Sequence, residues 1–143
     1  MKDLAKSILD SNTNQLAPVI LRLVLGVIFI GHGWGKLFGE GNPAGFAGWL
    51  GSMGLEPSYL LAIAAGLAET LGGALLIIGL LTRVAASSLV IVMLVAIGFV
   101  HLDAGMFGKG GYEFQLLLLA GVVNILIQGA GKLSVDEMIY KKL

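Results

Sequence analysis

The stretch Tyr59–Leu81, YLLAIAAGLAETLGGALLIIGLL, decides the fold. It carries a single charged residue, Glu69, near the middle of the run. A helix rises about 1.5 Å per residue, and the hydrocarbon core of a bilayer is about 30 Å thick, so this run is long enough to cross it. No face of such a helix is polar enough to turn toward water. Ala62, Ala65, Gly66, Gly72 and Gly73 gather around the side that holds Glu69. Small residues let a neighbouring backbone come close, so Glu69 is expected to point into a bundle.

Three further apolar runs lie outward from this one, at about 16–38, 84–101 and 112–129. The last two are near the short limit for a span, which a thin or locally pinched membrane accommodates. Composition agrees: 57% of residues are hydrophobic and 13% charged, where a soluble domain is roughly a quarter charged. Mean hydropathy is +0.91. The expectation is an all-α membrane protein, a four-transmembrane-helix bundle forming one domain over residues 1–143. A soluble bundle competes poorly, because four such runs leave too little polar surface.

The connections add detail. Residues 1–15 are polar, with Lys2, Asp3, Lys6 and Asp10. The long run behind them lacks a small-residue cleavage pattern and reads as a retained helix, not a signal peptide. In the glycine-rich stretch 39–56, Phe46, Trp49, Leu50 and Met53 stand at i, i+3, i+4 and i+7. That spacing predicts a short amphipathic helix, interfacial or re-entrant, between helices 1 and 2. Gly31 and Gly35 offer a second close-packing surface in small-xxx-small spacing. Residues 81–83 form a tight turn and 102–111 a polar loop. The tail 132–143 is amphipathic, with Ser134 as its N-cap and Glu137 at the capping-box position.

Charge sets orientation and excludes some partners. Formal net charge is zero, so no nucleic acid is implied. Lys2, Lys6, Arg83, Lys132, Lys141 and Lys142 fall on one side, with Arg22 just inside it. Lys36 and Lys109 fall on the other. The positive-inside rule then puts both termini in the cytoplasm. Arg83 is read as a topology anchor at its turn. The chain contains no cysteine, which removes disulfides, thiolate metal sites and cysteine nucleophiles. Any redox chemistry would need a bound carrier.

A charge at mid-bilayer costs about 2.5–3.5 kcal/mol on insertion scales, so the intramembrane ionisable residues need partners. Counted at about 1.5 Å per residue from the cytoplasmic side, Arg22 and Asn124 lie at roughly 9 Å, Glu69 at 18 Å, His32 at 24 Å and Lys36 at 30 Å. His101, Asp103 and Glu113 fall at the outer end. Two layers result: an inner Arg22–Asn124 brace, with Gln128 nearby, and an outer group of His32, Lys36, Glu69, His101 and Glu113. Arg22, Phe29 and Lys36 share one helix face, and Glu113, Ala120 and Asn124 share another.

The outer group is the candidate site. His and Lys could donate to the carbonyl oxygens of a quinone-like head, while Glu69 or Glu113 relays protons. His32, His101, Glu69 and Glu113 also make a ligand set for zinc, iron or copper(II). No close HxxxH-type spacing supports that metal reading, and none is adopted. Each residue also has a purely structural role open to it, as an ion-pair partner or helix end.

Several stretches resemble the DoxX family. They are residues 26–38 with His32-Gly33 and Lys36, AGLAETLGG at 65–73, and GLLTRVAA at 79–86. His101 with GGYE at 110–113, and GAGKLSVD at 129–136, complete the match. The resemblance covers nearly the whole chain in order. It implies a four-helix protein of the bacterial inner membrane, in a family named for a subunit of a terminal quinol oxidase. Other branches are tied to thiosulfate:quinone oxidoreduction and to quinone or catechol resistance. The family's recurring polar positions match Arg22, His32, Lys36, Glu69, Arg83, His101 and Glu113; Val135 stands where Leu is more usual. The favoured expectation is a membrane subunit that holds a non-covalently bound quinone or other small redox-active molecule and supports a membrane or periplasmic oxidoreductase. The alternatives are a non-enzymatic assembly or anchoring subunit, and a carrier or resistance factor for a small molecule or metal ion; a homo-oligomer is compatible with each.

Overall fold

The computed structural model describes residues 16–143; the polar leader with Lys2, Asp3, Lys6 and Asp10 lies outside the described residues. The described chain is helical and contains no strand. Helix α1 spans Ala17–Phe38, α2 Asn42–Ser52, α3 Ser58–Ile78, α4 Thr82–Val95, α5 Glu113–Gln128 and α6 Val135–Tyr140. A π-helical turn over Ala96–His101 and a 3₁₀ turn over Leu102–Ala104 prolong α4.

Among the described residues, three helices are long and apolar enough to cross a membrane: Ala17–Phe38, Ser58–Ile78 and the continuous Thr82–Ala104. The third is longer than the run 84–101 suggested. The chain keeps coiling through the π-turn into what the sequence presented as loop. Glu113–Gln128 is shorter, about 24 Å at the helical rise.

Sequence explains where the helices begin and end. Pro18 opens α1 in its first turn, where no N–H is needed. Gly79, at φ +69°, closes α3 in the left-handed conformation. A Cβ there would stand 2.5 Å from Ser134 Cβ and 2.9 Å from Arg22 Nη1, so the close approach also demands glycine.

Helix α1 runs along α3, α3 packs on α4, α4 on α5, and α5 also touches α1. Leu25, Phe29, Leu76, Leu89, Met93, Leu118, Val122 and Ile125 fill the space between them. The close approach of α1 to α3 rests on Gly26 and Gly33 facing Gly73 and Gly66. A Cβ on Gly26 would lie 2.7 Å from Gly73 O, and one on Gly33 2.7 Å from Gly66 O. Gly31 and Gly35, the pair singled out by small-xxx-small spacing, face outward with nothing within 4 Å. The spacing identified a smooth face, but the seven-residue pair is the one that meets a neighbour.

The short helix in 39–56 is present as α2. Ala47 and Leu50 are buried against Ala62 of α3, with Phe46, Met53 and Leu55 around them. Trp49 departs from the expected stripe: it is 47% exposed and stacks on Phe46 at 5.6 Å.

Candidate functional site

Two polar groupings stand near opposite ends of α1, on Arg22 and on Lys36. Fourteen residues separate them, about 21 Å of helix.

Arg22 is 1% exposed. Its Nη1 donates to the carbonyls of Leu76 at 2.9 Å and Ile77 at 2.5 Å, the last turn of α3. Its Nη2 donates to the carbonyl of Leu133. The cation thus sits on the carbonyl end of a helix, where the backbone dipole favours it. Asn124 is exposed on α5 and forms no part of this set. The Arg22–Asn124 brace is therefore corrected: the guanidinium turns to free carbonyls at the α3 terminus and in the tail.

The tail completes the arrangement. Asp136 accepts from Leu81 N–H at 2.8 Å and from Thr82 N–H at 2.9 Å, capping the start of α4 from a distant part of the chain. Asp136 N–H donates to Gly79 O at 2.9 Å. Ser134 caps α6 by accepting from Glu137 N–H at 3.1 Å. The Glu137 carboxylate pairs with Lys141 at 2.8 Å. Leu81 and Leu133 hold φ of +47° and +54°, a conformation that costs a residue with a Cβ about 1–2 kcal/mol. The bonds from Asp136 and Arg22 hold both leucines in place. Burial pushes the Asp136 carboxyl up, but the Thr82 and Leu81 donors and the Arg22 charge outweigh it and leave it below its ordinary value.

Arg83 does more than mark a turn. Its Nη2 donates to Ile127 O at 3.2 Å, satisfying a carbonyl in the last turn of α5.

The second grouping is the ion pair Lys36–Glu69, with Nζ to Oε2 at 2.5 Å. Glu69 is 2% exposed and points inward from α3, as its small-residue face predicted. Lys36 reaches in from the last turn of α1, and its ammonium also lies 5.4 Å from the centre of the Phe46 ring. Beside this pair is an open cleft of about 440 Å³, lined by Gly31, His32, Gly35, Lys36, Glu40 and Phe46. The exposed Gly31 and Gly35 are part of its lining. Lys36 therefore has a carboxylate behind it, an aromatic face beside it and the cleft in front. Such a lysine can donate to an acceptor oxygen in the cleft while its charge stays compensated.

The other three outer candidates distribute differently. His32 lines the cleft, and its ring lies 6.0 Å from that of Phe114. His101 faces elsewhere: Nδ1–H donates to Gly110 O at 2.7 Å, and Nε2 faces the Gln115 amide at 3.1 Å. That contact ties the π-turn to the loop and to the start of α5. Glu113 is exposed at the first residue of α5. The five residues thus do not converge on one point. Among the described residues no group of three or more His, Asp or Glu is placed to hold a metal ion. Sequence reasoning missed Asp136, Gln115 and Phe46 as partners. The signal for Asp136 was the GAGKLSVD stretch, which names no target for its carboxylate.

The DoxX family model matches residues 17–102. A Bacillus subtilis (strain 168) protein named "Putative oxidoreductase CatD" is 32% identical over 127 residues, covering 89% of this chain and 90% of that protein. The Escherichia coli (strain K12) protein "Inner membrane protein YqjF" is 30% identical over 136 residues, covering 90% and 95%. An uncharacterized membrane protein of Mycobacterium tuberculosis is 31% identical over 137 residues, covering 87% and 82%. No solved structure matches the chain. With apolar helices of spanning length and a family model covering more than half of its residues, this chain is a membrane protein of the DoxX family.

Proposed function

We propose that this protein is a four-span subunit of the bacterial inner membrane that binds a small redox-active molecule of quinone type at the Lys36 cleft and supports an oxidoreductase partner. The observation that carries the reading is the position of Lys36. Its ammonium is charge-compensated by buried Glu69, flanked by Phe46, and open to a cleft. A quinone ring offers carbonyl oxygens to Lys36 and His32 and a flat face to Phe46. A carboxylate behind the lysine gives a reduced, protonated head a route for its proton. The oxidoreductase name of the Bacillus subtilis relative supports the same direction. In this reading α5 is the fourth span, fitting a locally thinned bilayer. Both termini then lie in the cytoplasm, the cleft faces the periplasm, and residues 1–143 form one domain.

The test uses the full chain purified in mild detergent. Mass spectrometry of its extracted lipids should find quinone, and a short-chain ubiquinone analogue should bind at least tenfold more weakly to Lys36→Met. Absence of quinone, together with unchanged binding in Lys36→Met and Glu69→Gln, overturns the reading.

A further inference from the structure

Helix α5 gives Leu118, Val122 and Ile125 to the core. It leaves Leu117, Ala120, Asn124 and Ile127 exposed. Leu117 and Ile127 are 69% and 71% exposed. The four are spaced three, four and three residues apart, the a–d seam of a coiled coil, with Asn124 on an a position. Its amide makes no hydrogen bond with the described residues. On the reading that α5 crosses the bilayer, this amide faces hydrocarbon, where no water can satisfy it.

A second copy of this chain would supply what the seam lacks. Copies inserted with the same orientation are related by an axis normal to the membrane. A residue near that axis then meets its own counterpart at its own depth. A lysine or glutamate would meet a like charge. An asparagine amide both donates and accepts, so two of them can pair reciprocally. Ala120, one turn away, is small enough to let the backbones approach, and Leu117 and Ile127 flank the pair along the seam. A single buried Asn on an a position is also the device that fixes register and oligomer state in parallel coiled coils.

We propose that the protein forms a parallel dimer through the α5 seam Leu117–Ala120–Asn124–Ile127, with the two Asn124 amides hydrogen-bonded across the axis. The inference rests on the four-span reading, and its test separates the two. The chain has no cysteine, so each introduced thiol is unique. Leu117→Cys in liposomes should give a disulfide-linked dimer on oxidation, whereas Leu71→Cys, 58% exposed on α3, should not. Adding Asn124→Leu to Leu117→Cys should cut the cross-linked yield at high lipid dilution about fivefold, within the range of intramembrane polar contacts. Asn124→Gln should keep most of it. Equal cross-linking at Leu71→Cys and Leu117→Cys, or no effect of Asn124→Leu, overturns the dimer. Labelling of Leu117→Cys by a membrane-impermeant maleimide in intact vesicles removes α5 from the bilayer, and the four-span reading with it. A thiol that is protected from that reagent yet never cross-links rejects the dimer alone.

Discussion

The two ends of α1 handle charge in opposite ways. Near the start, Arg22 directs its guanidinium at three backbone carbonyls, and Asp136 takes two backbone N–H groups. Near the other end, Lys36 shares one carboxylate and one aromatic face and still borders an open cleft. The first arrangement is spent on holding the α3–α4 turn and the tail together. The second leaves donor capacity for something outside the chain. Burial alone does not separate them, since Arg22 and Glu69 are both almost fully buried. What separates them is whether the polar atoms end on backbone or on a side chain beside a cleft.

Substitutions can break this contrast or sharpen it. The largest effect is expected at Arg22→Leu, which frees the Leu76, Ile77 and Leu133 carbonyls and unbalances Asp136. A loss of about 3 kcal/mol should appear as a lower thermal unfolding midpoint in detergent, given the strength of charged hydrogen bonds. Next comes Gly33→Ala, whose methyl would lie 2.6 Å from Thr70 N and 2.7 Å from Gly66 O. Overpacking of that kind costs about 1–3 kcal/mol, and the same melting experiment reads it.

Asp136→Asn should cost about 1 kcal/mol, because one oxygen acceptor remains. Its signature is in the pH profile. The folded carboxyl lies below its ordinary value of 3.8, so its contribution is complete above that value and fades as pH falls through the folded-state value. Melting curves taken from neutral to strongly acidic pH should lose this acid limb in Asp136→Asn. Glu69→Gln belongs to the other end. It should weaken ligand binding more than it lowers the melting midpoint, because the glutamine can still accept from Lys36. Parallel losses of stability and binding would make that end structural like the first. The smallest effect is expected at Gly31→Ala, which meets nothing within 4 Å. Stability should stay within about 0.5 kcal/mol, and any change in binding would report the cleft lining directly.

Much of this was legible in residue order. The four apolar runs, the helix in 39–56, the Ser134 cap and the inward turn of Glu69 follow from period, length and small-residue placement. The polar layers were read less well, for a definite reason. A helical wheel says which residues share a face, as Glu113, Ala120 and Asn124 do, but not which face looks inward. In α5 the face of Leu118, Val122 and Ile125 meets the core, and the polar face is turned out. Likewise Gly31–Gly35 and Gly26–Gly33 are both smooth surfaces, and only the crossing of α1 with α3 selects the second.

The sequence by itself determined that the chain belongs in a membrane, because 57% hydrophobic residues arranged in long runs cannot be covered with polar surface. It also determined that Glu69 must be paired, since an unpaired carboxylate in an apolar run is too costly. The tertiary structure alone decided the partners. Lys36 reaches Glu69 because α1 and α3 cross on glycines, and Arg22 reaches the α3 terminus because the tail folds back beneath it. Contacts between residues fifty or more positions apart, such as Arg22 with Leu76 and Leu81 with Asp136, depend on how helices dock, and no local period encodes that.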